Sequence, residues 1–288
     1  MSAIAYLNGE YIPLAQVRIS PLDRGFLFAD GVYETIPAYN GRLFRLMEHL
    51  QRLHNSLAAI RLDNKLSFAQ WSALLNELVV RNGGSNLVLY LQITRGVAEC
   101  RDHGFPLETR PTVFAMASPL QPLPEALRRV GISVVTVDDI RWGGCHIKSI
   151  ALLANVLARQ QAIDRKTADA LLVRDGRLTE GTASNVFVVC DGILLTPPKD
   201  QFILPGITRD LVLELAAAND IAYREQYLPR EVLSEADEVW LTSSTKEILP
   251  VTSVDGRSIG TGAPGPLWRR MIDLYQAYKG KVCQPVMG

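Results

Sequence analysis

Five dipeptides constrain this chain more than any other feature: Asn8-Gly9, Asn40-Gly41, Asp175-Gly176, Asp191-Gly192 and Asp255-Gly256, each flanked by strand-like residues. A two-residue type I′ turn needs positive φ at both central positions. Asn, Asp and Gly tolerate that geometry, and most other residues do not. Each pair therefore predicts a tight hairpin, and antiparallel sheet must be abundant along the chain.

Helices are predicted between the hairpins. Leu46, Leu50, Leu53, Leu57 and Ile60 share one helical face, and Ser67-Phe-Ala-Gln70 reads as a capping box opening a second helix that stops at Asn82-Gly83-Gly84. Leu87–Thr94 and Thr112–Ala117 are strand-like. Next comes Ser118-Pro-Leu-Gln-Pro-Leu-Pro-Glu125, whose prolines disfavour helix and strand alike and predict a stiff connector. A domain boundary is placed there, with residues 1–118 as a smaller N-terminal α/β domain, 119–130 as linker and 131–288 as a larger C-terminal domain. The second half opens with a strand over Ile132–Val137. Helices are predicted over about 149–163, 208–219 and 266–279, with two hairpins between the first two and strands near 222–227 and 238–241. Strands and helices mix without strict βαβ alternation, which predicts an α/β or α+β chain in two domains.

The 288 residues allow about two domains. Hydrophobic residues make up 48% and charged residues 21%, a globular profile. Thirty basic and thirty acidic side chains cancel, so nothing in the charge favours nucleic acid. Cys100, Cys145, Cys190 and Cys283 are scattered without metal-ligand spacing, which predicts reduced thiols, no metal and a cytoplasmic setting. The N-terminus lacks a signal-peptide pattern, and no apolar run reaches the ~18 residues of a membrane span.

Several residues could carry chemistry. Lys148 lies between Ile147 and Ile150, with Leu152 and Leu153 just beyond. A lysine ordinarily titrates near 10.4, and desolvation would expose its amine as a Schiff-base nucleophile. A helix-end lysine extending its head into water is the alternative. Glu180, in Thr179-Glu-Gly-Thr-Ala-Ser-Asn-Val-Phe187, ends a hairpin strand; it is either a turn residue or the partner of a protonated pyridine nitrogen. Leu204-Pro-Gly-Ile-Thr-Arg-Asp210 leads into a helix, with Thr208 fitting an N-cap, and such a turn can also hold a phosphate. The hydroxyl run Thr242-Ser-Ser-Thr245 ends a strand and makes Ser243 and Ser244 candidate phosphate ligands, or merely turn formers. Arg52 stands four residues after Glu48. It reads either as an i,i+4 ion pair on a wet helix face or as a phosphate partner.

Taken in order, these segments resemble the class IV, pyridoxal-phosphate-dependent aminotransferases. The likeness begins at Asp23-Arg-Gly-Phe-Leu-Phe-Ala-Asp-Gly-Val-Tyr-Glu-Thr35 and Glu48-His-Leu-Gln-Arg-Leu53. It continues through Lys148, the Glu180 segment and Gly206-Ile-Thr-Arg-Asp210 to the 242–247 run. It implies a two-domain fold whose larger domain carries a barrel-like sheet with flanking helices, and a homodimer. It also implies pyridoxal 5′-phosphate joined to Lys148 through a Schiff base. Glu180 would pair with the ring nitrogen. Arg52, the Ile207 backbone N–H, Thr208, Ser243 and Ser244 would hold the phosphate.

Within the family, Thr94-Arg-Gly-Val-Ala-Glu-Cys-Arg-Asp-His-Gly-Phe-Pro106 resembles the loop by which enzymes acting on D-amino acids hold the substrate carboxylate across the dimer. Arg101 and His103 take the places of that loop's arginine and histidine, Tyr33 matches a tyrosine that helps in the same task, and the implied reaction is ping-pong amino transfer from a D-amino acid to a 2-oxo acid such as 2-oxoglutarate. Gly143-Gly144, Ala183 and Pro205 depart from the D-enzyme pattern and bear on substrate range. The rival readings are an L-branched-chain aminotransferase, an aminodeoxychorismate lyase, and a non-enzymatic protein that binds a phosphorylated ligand.

Overall fold

The computed structural model describes residues 3–63, 66–84, 86–108, 110–121 and 123–284, so Pro122 of the proline-rich segment lies outside the described residues. The chain divides into two compact units. One comprises Met1–Gln121, Ile147–Ala151 and Lys281–Gly288, and the other Pro122–His146 and Leu152–Gly280.

The first unit holds β1 (Ile4–Leu7), β2 (Glu10–Pro13), α1 (Arg24–Phe28), β3 (Gly31–Tyr39), β4 (Arg42–Leu43), α2 (Leu46–Ala59), α3 (Phe68–Arg81), β5 (Leu87–Thr94) and β6 (Thr112–Pro119). The strands form one antiparallel sheet in the order β2-β1-β6-β5-β3-β4. Leu50, Leu53 and Leu57 of α2 join Trp71, Leu75 and Leu78 of α3 in a core against Ile36, Leu89, Leu91 and Ala115. Full burial of each such leucine stabilises by about 1.5–3 kcal/mol. The Ser67–Gln70 capping box is present at the start of α3.

The second unit holds α4 (Glu125–Val130), β7 (Ile132–Asp138), α5 (Leu153–Asp164), β8 (Asp169–Arg174), β9 (Arg177–Gly181), β10 (Asn185–Cys190), β11 (Ile193–Thr196), α6 (Ile207–Ala218), β12 (Tyr223–Glu225), β13 (Leu228–Pro229), β14 (Glu238–Ser243), β15 (Glu247–Val254), β16 (Arg257–Ser258) and α7 (Pro266–Val282). Six strands close on themselves in the order β10-β14-β15-β7-β8-β9, because β9 pairs back with β10. The ring is the barrel-like sheet expected of the larger domain. Its core includes Val134, Leu171, Val186, Val188, Val239 and Leu241.

All five Asn-Gly and Asp-Gly pairs adopt positive φ at both residues, as type I′ turns require. They join β1–β2, β3–β4, β8–β9, β10–β11 and β15–β16.

Three local expectations are corrected. The helix expected from Ser149 begins only at Leu153. Residues 148–150 instead make one antiparallel bridge to β3, Ser149 opposite Val32: the Tyr33 N–H donates to the Lys148 carbonyl at 2.9 Å and the Ile150 N–H to the Gly31 carbonyl at 3.1 Å. Gly31 permits this approach, since a Cβ there would lie 2.6 Å from the Ile93 carbonyl oxygen and 3.1 Å from Ile150 Cδ1. The proline-rich segment is not wholly extended, for α4 starts directly after Pro124. That proline precedes the helix rather than interrupting it, so no interior hydrogen bond is lost. Finally, α6 begins at Ile207 with Gly206 as its N-cap, so Thr208 is inside the helix rather than capping it. Gly206 takes the cap because Asn185 Oδ1 would lie 1.9 Å from any Cβ placed there.

Candidate active site

In the first unit, β3 organises the chemistry. Its side chains alternate, so Tyr33 and Glu34 point to opposite faces. The Lys148 Nζ lies 4.1 Å from the centroid of the Tyr33 ring, a cation–π contact. The Lys148 backbone is held from two sides. Its carbonyl accepts from Tyr33, and its N–H donates to Ser56 Oγ at 3.2 Å. The lysine is thus fixed by a bridge to β3 and by Ser56, not by a helix end. Tyr90, 5.6 Å from Tyr33 ring to ring, has its hydroxyl pushed up to about 12, chiefly by burial, and donates to Gln92 Oε1 at 2.7 Å.

Glu34 is fully buried on the other face. Arg52 Nε and Nη2 donate to its two oxygens at 2.8 Å each, and His49 Nδ1 lies 2.8 Å from Oε2. This corrects the wet-face reading of Arg52: it is only 7% exposed, and Glu48 pairs with Arg45 at 2.9 Å instead. Burial alone would raise the Glu34 carboxyl, but Arg52 and then His49 hold it well below the usual carboxylate range. Burial pushes His49 below its ordinary value, Arg52 and Lys148 push the same way, and Glu34 opposes them.

Arg101 and His103 are exposed on the loop between β5 and β6, and the structure brings them together at Phe28. The Arg101 guanidinium lies 5.0 Å from the centre of that ring, and the His103 ring 5.1 Å from it.

In the second unit, Glu180 is buried beside the pair that closes the barrel, opposite Asn185. Three donors surround its carboxylate. The Leu204 N–H reaches Oε2 at 3.0 Å, Asn185 Nδ2 reaches it at 3.1 Å, and Arg141 Nη1 donates to Oε1. Burial pushes this carboxyl up, while Arg141 and the Leu204 N–H draw it back. A cage made of donors fits the ionised form. Arg141 is itself anchored. Its Nε and Nη2 donate to Asp139 at 2.8 Å each, and Nη2 also reaches the Phe202 carbonyl at 3.1 Å. Burial would lower this guanidinium, but Asp139 and Glu180 hold it above its ordinary value.

Ile207 and Thr208 open α6, whose N-terminus has no side-chain cap. Its first-turn N–H groups are therefore uncapped by any side chain and, with the helix dipole, suit an anion. The helix packs against β14, which ends in Thr242 and Ser243. Ser243 Oγ accepts from the Lys246 N–H at 3.2 Å, so this hydroxyl forms the turn and keeps its own hydrogen for another acceptor. Ser184 Oγ and Thr242 Oγ1 are buried without a hydrogen-bond partner among the described residues. A caged carboxylate offers an acceptor to a protonated pyridine nitrogen, and an uncapped helix N-terminus with orphaned hydroxyls offers donors to a phosphate monoester, so the residues fit pyridoxal phosphate.

The family model for amino-transferase class IV matches residues 31–254. The chain belongs to the class IV aminotransferases. It is 44% identical over 269 residues to the D-alanine aminotransferase of Bacillus licheniformis, covering 93% of this chain and 94% of that protein. Among solved structures it is similar to the Escherichia coli branched-chain amino acid aminotransferase, with TM-score 0.91 and 27% identity over 96% of this chain and 94% of that one. It is equally similar to a T.th. branched-chain amino acid aminotransferase with pyridoxamine 5′-phosphate, with TM-score 0.91 and 26% identity over 97% of each chain. Pyridoxal phosphate is the cofactor of a class IV aminotransferase, and transfer of an amino group between small amino and oxo acids is its reaction.

Reading the residues one at a time passes over Glu34, His49, Asp139, Arg141 and Asn185. A weak signal exists for His49: with Arg52 and Ser56 it follows helical spacing beside the leucine stripe of α2, on its buried arc. Arg141 has no such signal, since apart from Asp139 its partners, Glu180 and the Phe202 carbonyl, come from distant segments.

Proposed function

We propose that this class IV aminotransferase acts on D-amino acids of the D-alanine, D-glutamate and D-aspartate type, passing the amino group to a 2-oxo acid such as 2-oxoglutarate. The observation that carries the reading is the near full-length similarity to a D-alanine aminotransferase. The Arg101/His103 pair gathered at Phe28 supports it.

When bound, pyridoxal phosphate supplies an aldehyde carbon for amine exchange and a ring that withdraws the electron pair left by the departing α-proton. Lys148 would carry the cofactor and, with its amine free, would move the proton on Nζ from the substrate's α-carbon to the carbon that bore the aldehyde. Its doubly bonded backbone fixes the direction from which Nζ works. Glu180 holds the ring nitrogen protonated, and its donor cage keeps the carboxylate ionised for that task. Arg52, the Ile207 N–H, Thr208, Ser243 and Ser244 bind the phosphate; Glu34 orients the Arg52 guanidinium. Tyr33, Arg101 and His103 bind the substrate carboxylate: Arg offers a fork, His a further donor and Tyr a neutral hydroxyl. A proton taken from one fixed face requires the α-hydrogen to point there, so the location of the carboxylate site selects the enantiomer.

The working form is a homodimer in the cytoplasm, with Arg101 and His103 reaching the neighbouring subunit's site. Leu153, Val156 and Leu157 form an exposed apolar stripe on α5 of the kind a second copy covers. No helix among the described residues is long and apolar enough to cross a membrane.

The test is to mix the yellow holoenzyme separately with D-alanine, L-alanine and L-leucine and follow the visible spectrum. D-alanine should bleach it. Bleaching by L-leucine and not by D-alanine would sink the assignment, as would near-normal turnover in Lys148→Ala.

A further inference from the structure

The loop bearing Arg101 and His103 has no burial of its own to hold it, for residues 101–105 are all exposed. Its backbone is instead wrapped around one side chain. Arg24, in α1, is 3% exposed and sends its guanidinium into the loop. Nη1 donates to the Asp102 carbonyl at 2.6 Å and to the Gly104 carbonyl at 3.1 Å. Nη2 donates to the His103 carbonyl at 3.2 Å. Three consecutive carbonyl dipoles thus converge on a single cation, an arrangement that would be repulsive without it.

The remaining edge of the guanidinium is neutralised: Nε donates to Asp30 Oδ2 at 2.8 Å. Asp30 also accepts from Arg95 Nε at 2.8 Å and Nη2 at 3.1 Å, and burial, which would raise its carboxyl, is outweighed by the two arginines. Arg95 in turn lies 3.8 Å from the centre of the Phe105 ring, so the same buried ion cluster grips the loop again one residue further on. Arg24 further shares Phe28 with the two loop side chains, lying 4.9 Å from the ring centre. Gly25 lets α1 seat this closely, since a Cβ there would fall 2.2 Å from Thr94 Cγ2.

We infer that Arg24, neutralised by Asp30, is a positioning residue for substrate specificity: by clamping the 102–104 carbonyls it sets where Arg101 and His103 present their donors. The inference rests on the reading that those two residues bind the substrate carboxylate. Arginine is required because four acceptors in two directions must be met at once. A guanidinium has five N–H groups in a fixed fork, whereas an ammonium has three donors on one atom.

Three variants of the holoenzyme, Arg24→Met, Arg24→Lys and Arg101→Met, separate the possibilities. Each is assayed for kcat and KM with D-alanine, and for amide hydrogen exchange over residues 99–108 against β3 and β5. Arg24→Met should raise KM about tenfold or more, leave kcat within about threefold, and speed exchange in the loop alone. Arg24→Lys keeps a charge against Asp30 and therefore the fold, and should give an intermediate KM. A KM within about twofold of the parent in both Arg24 variants would overturn the inference. So would kcat falling in step with faster exchange throughout β3 and β5, the pattern of a merely structural residue. If Arg101→Met raises KM and the Arg24 variants do not, the positioning role alone falls. An unchanged KM in Arg101→Met removes the carboxylate reading, and this role with it.

Discussion

Replacing Arg141 with methionine tests the argument that Glu180 is kept ionised by its cage. The two side chains are 6% and 7% exposed. Removing one partner of a buried pair costs about 3–5 kcal/mol because it strands the other charge. Glu180 has one escape, which is to take up a proton, at about 1.4 kcal/mol per pH unit. Its folded carboxyl already titrates above the ordinary value of 4.5, and Arg141 is the largest influence holding it down. The folded state therefore retains a proton that the unfolded state has lost. Such a group penalises folding little below about pH 4.5 and progressively more as pH rises through the folded pKa. Loss of Arg141 raises that folded pKa and widens the window. Asp139 loses its chief partner in the same variant, and although it keeps Arg174 at 3.2 Å and Thr179 at 2.9 Å its carboxyl rises as well, so its titration shifts the penalty in the same direction. The destabilisation of Arg141→Met should thus be greater at pH 8 than at pH 5 by about 1–3 kcal/mol, or one to two pK units. Urea unfolding of the cofactor-free protein at pH 5, 6.5 and 8, followed by circular dichroism, measures it without ligand linkage. An equal penalty at all three pH values would refute the reasoning.

Other outcomes follow from the same geometry. Gly206→Ala forces a methyl to within 1.9 Å of Asn185 Oδ1. It should cost about 1–3 kcal/mol in thermal unfolding, and weaken pyridoxal phosphate binding because Asn185 also holds Glu180. In the first unit, Glu34 is held below 4.5 and His49 below 6.5, so both contribute stability above those values that is lost as pH falls. Denaturation midpoints should drop below about pH 6.5, and Glu34→Gln should flatten the acid limb below about pH 4.5 while costing about 3–5 kcal/mol overall; an unaltered acid limb contradicts the assignment. Val156→Glu, on the exposed α5 stripe, should convert a dimer to a monomer in sedimentation at micromolar concentration, and a persistent dimer would place the interface elsewhere.

How much of this was legible in the sequence depends on how local each cause is. The five hairpins could be read because a type I′ turn is decided by two residues. The α3 capping box could be read because its partners are three residues apart. The non-helical bridge beside Lys148 could not, for it is imposed by Gly31 and Tyr33, more than one hundred positions earlier. Its own residues look helical, and tertiary pairing overrides them. Arg52 misleads in the same way. An i,i+4 glutamate is the obvious partner, yet Glu34 wins because β3 delivers both carboxylate oxygens to the buried arc of α2.

Glu180 stands between these extremes, and the barrel explains why. The β9–β10 turn closes the ring of strands, with Glu180 opposite Asn185 and the Gly181 N–H donating to the Ser184 carbonyl at 2.6 Å. A carboxylate at that closing pair would be a defect in a purely structural barrel, since burial disfavours its charge. It is tolerated because Asn185, across the seam, donates to it and also reaches the Leu204 carbonyl at 2.8 Å. That carbonyl lies two residues before Gly206, the N-cap of α6. Closing the barrel, caging the carboxylate and setting the start of the helix therefore depend on one asparagine. Asn185→Leu, close in size but without donors, should disturb all three at once: the circular dichroism of the barrel, the affinity for pyridoxal phosphate and the pH at which Glu180 ionises. If cofactor affinity alone changes, Asn185 is a ligand-site residue and not the link between sheet closure and site.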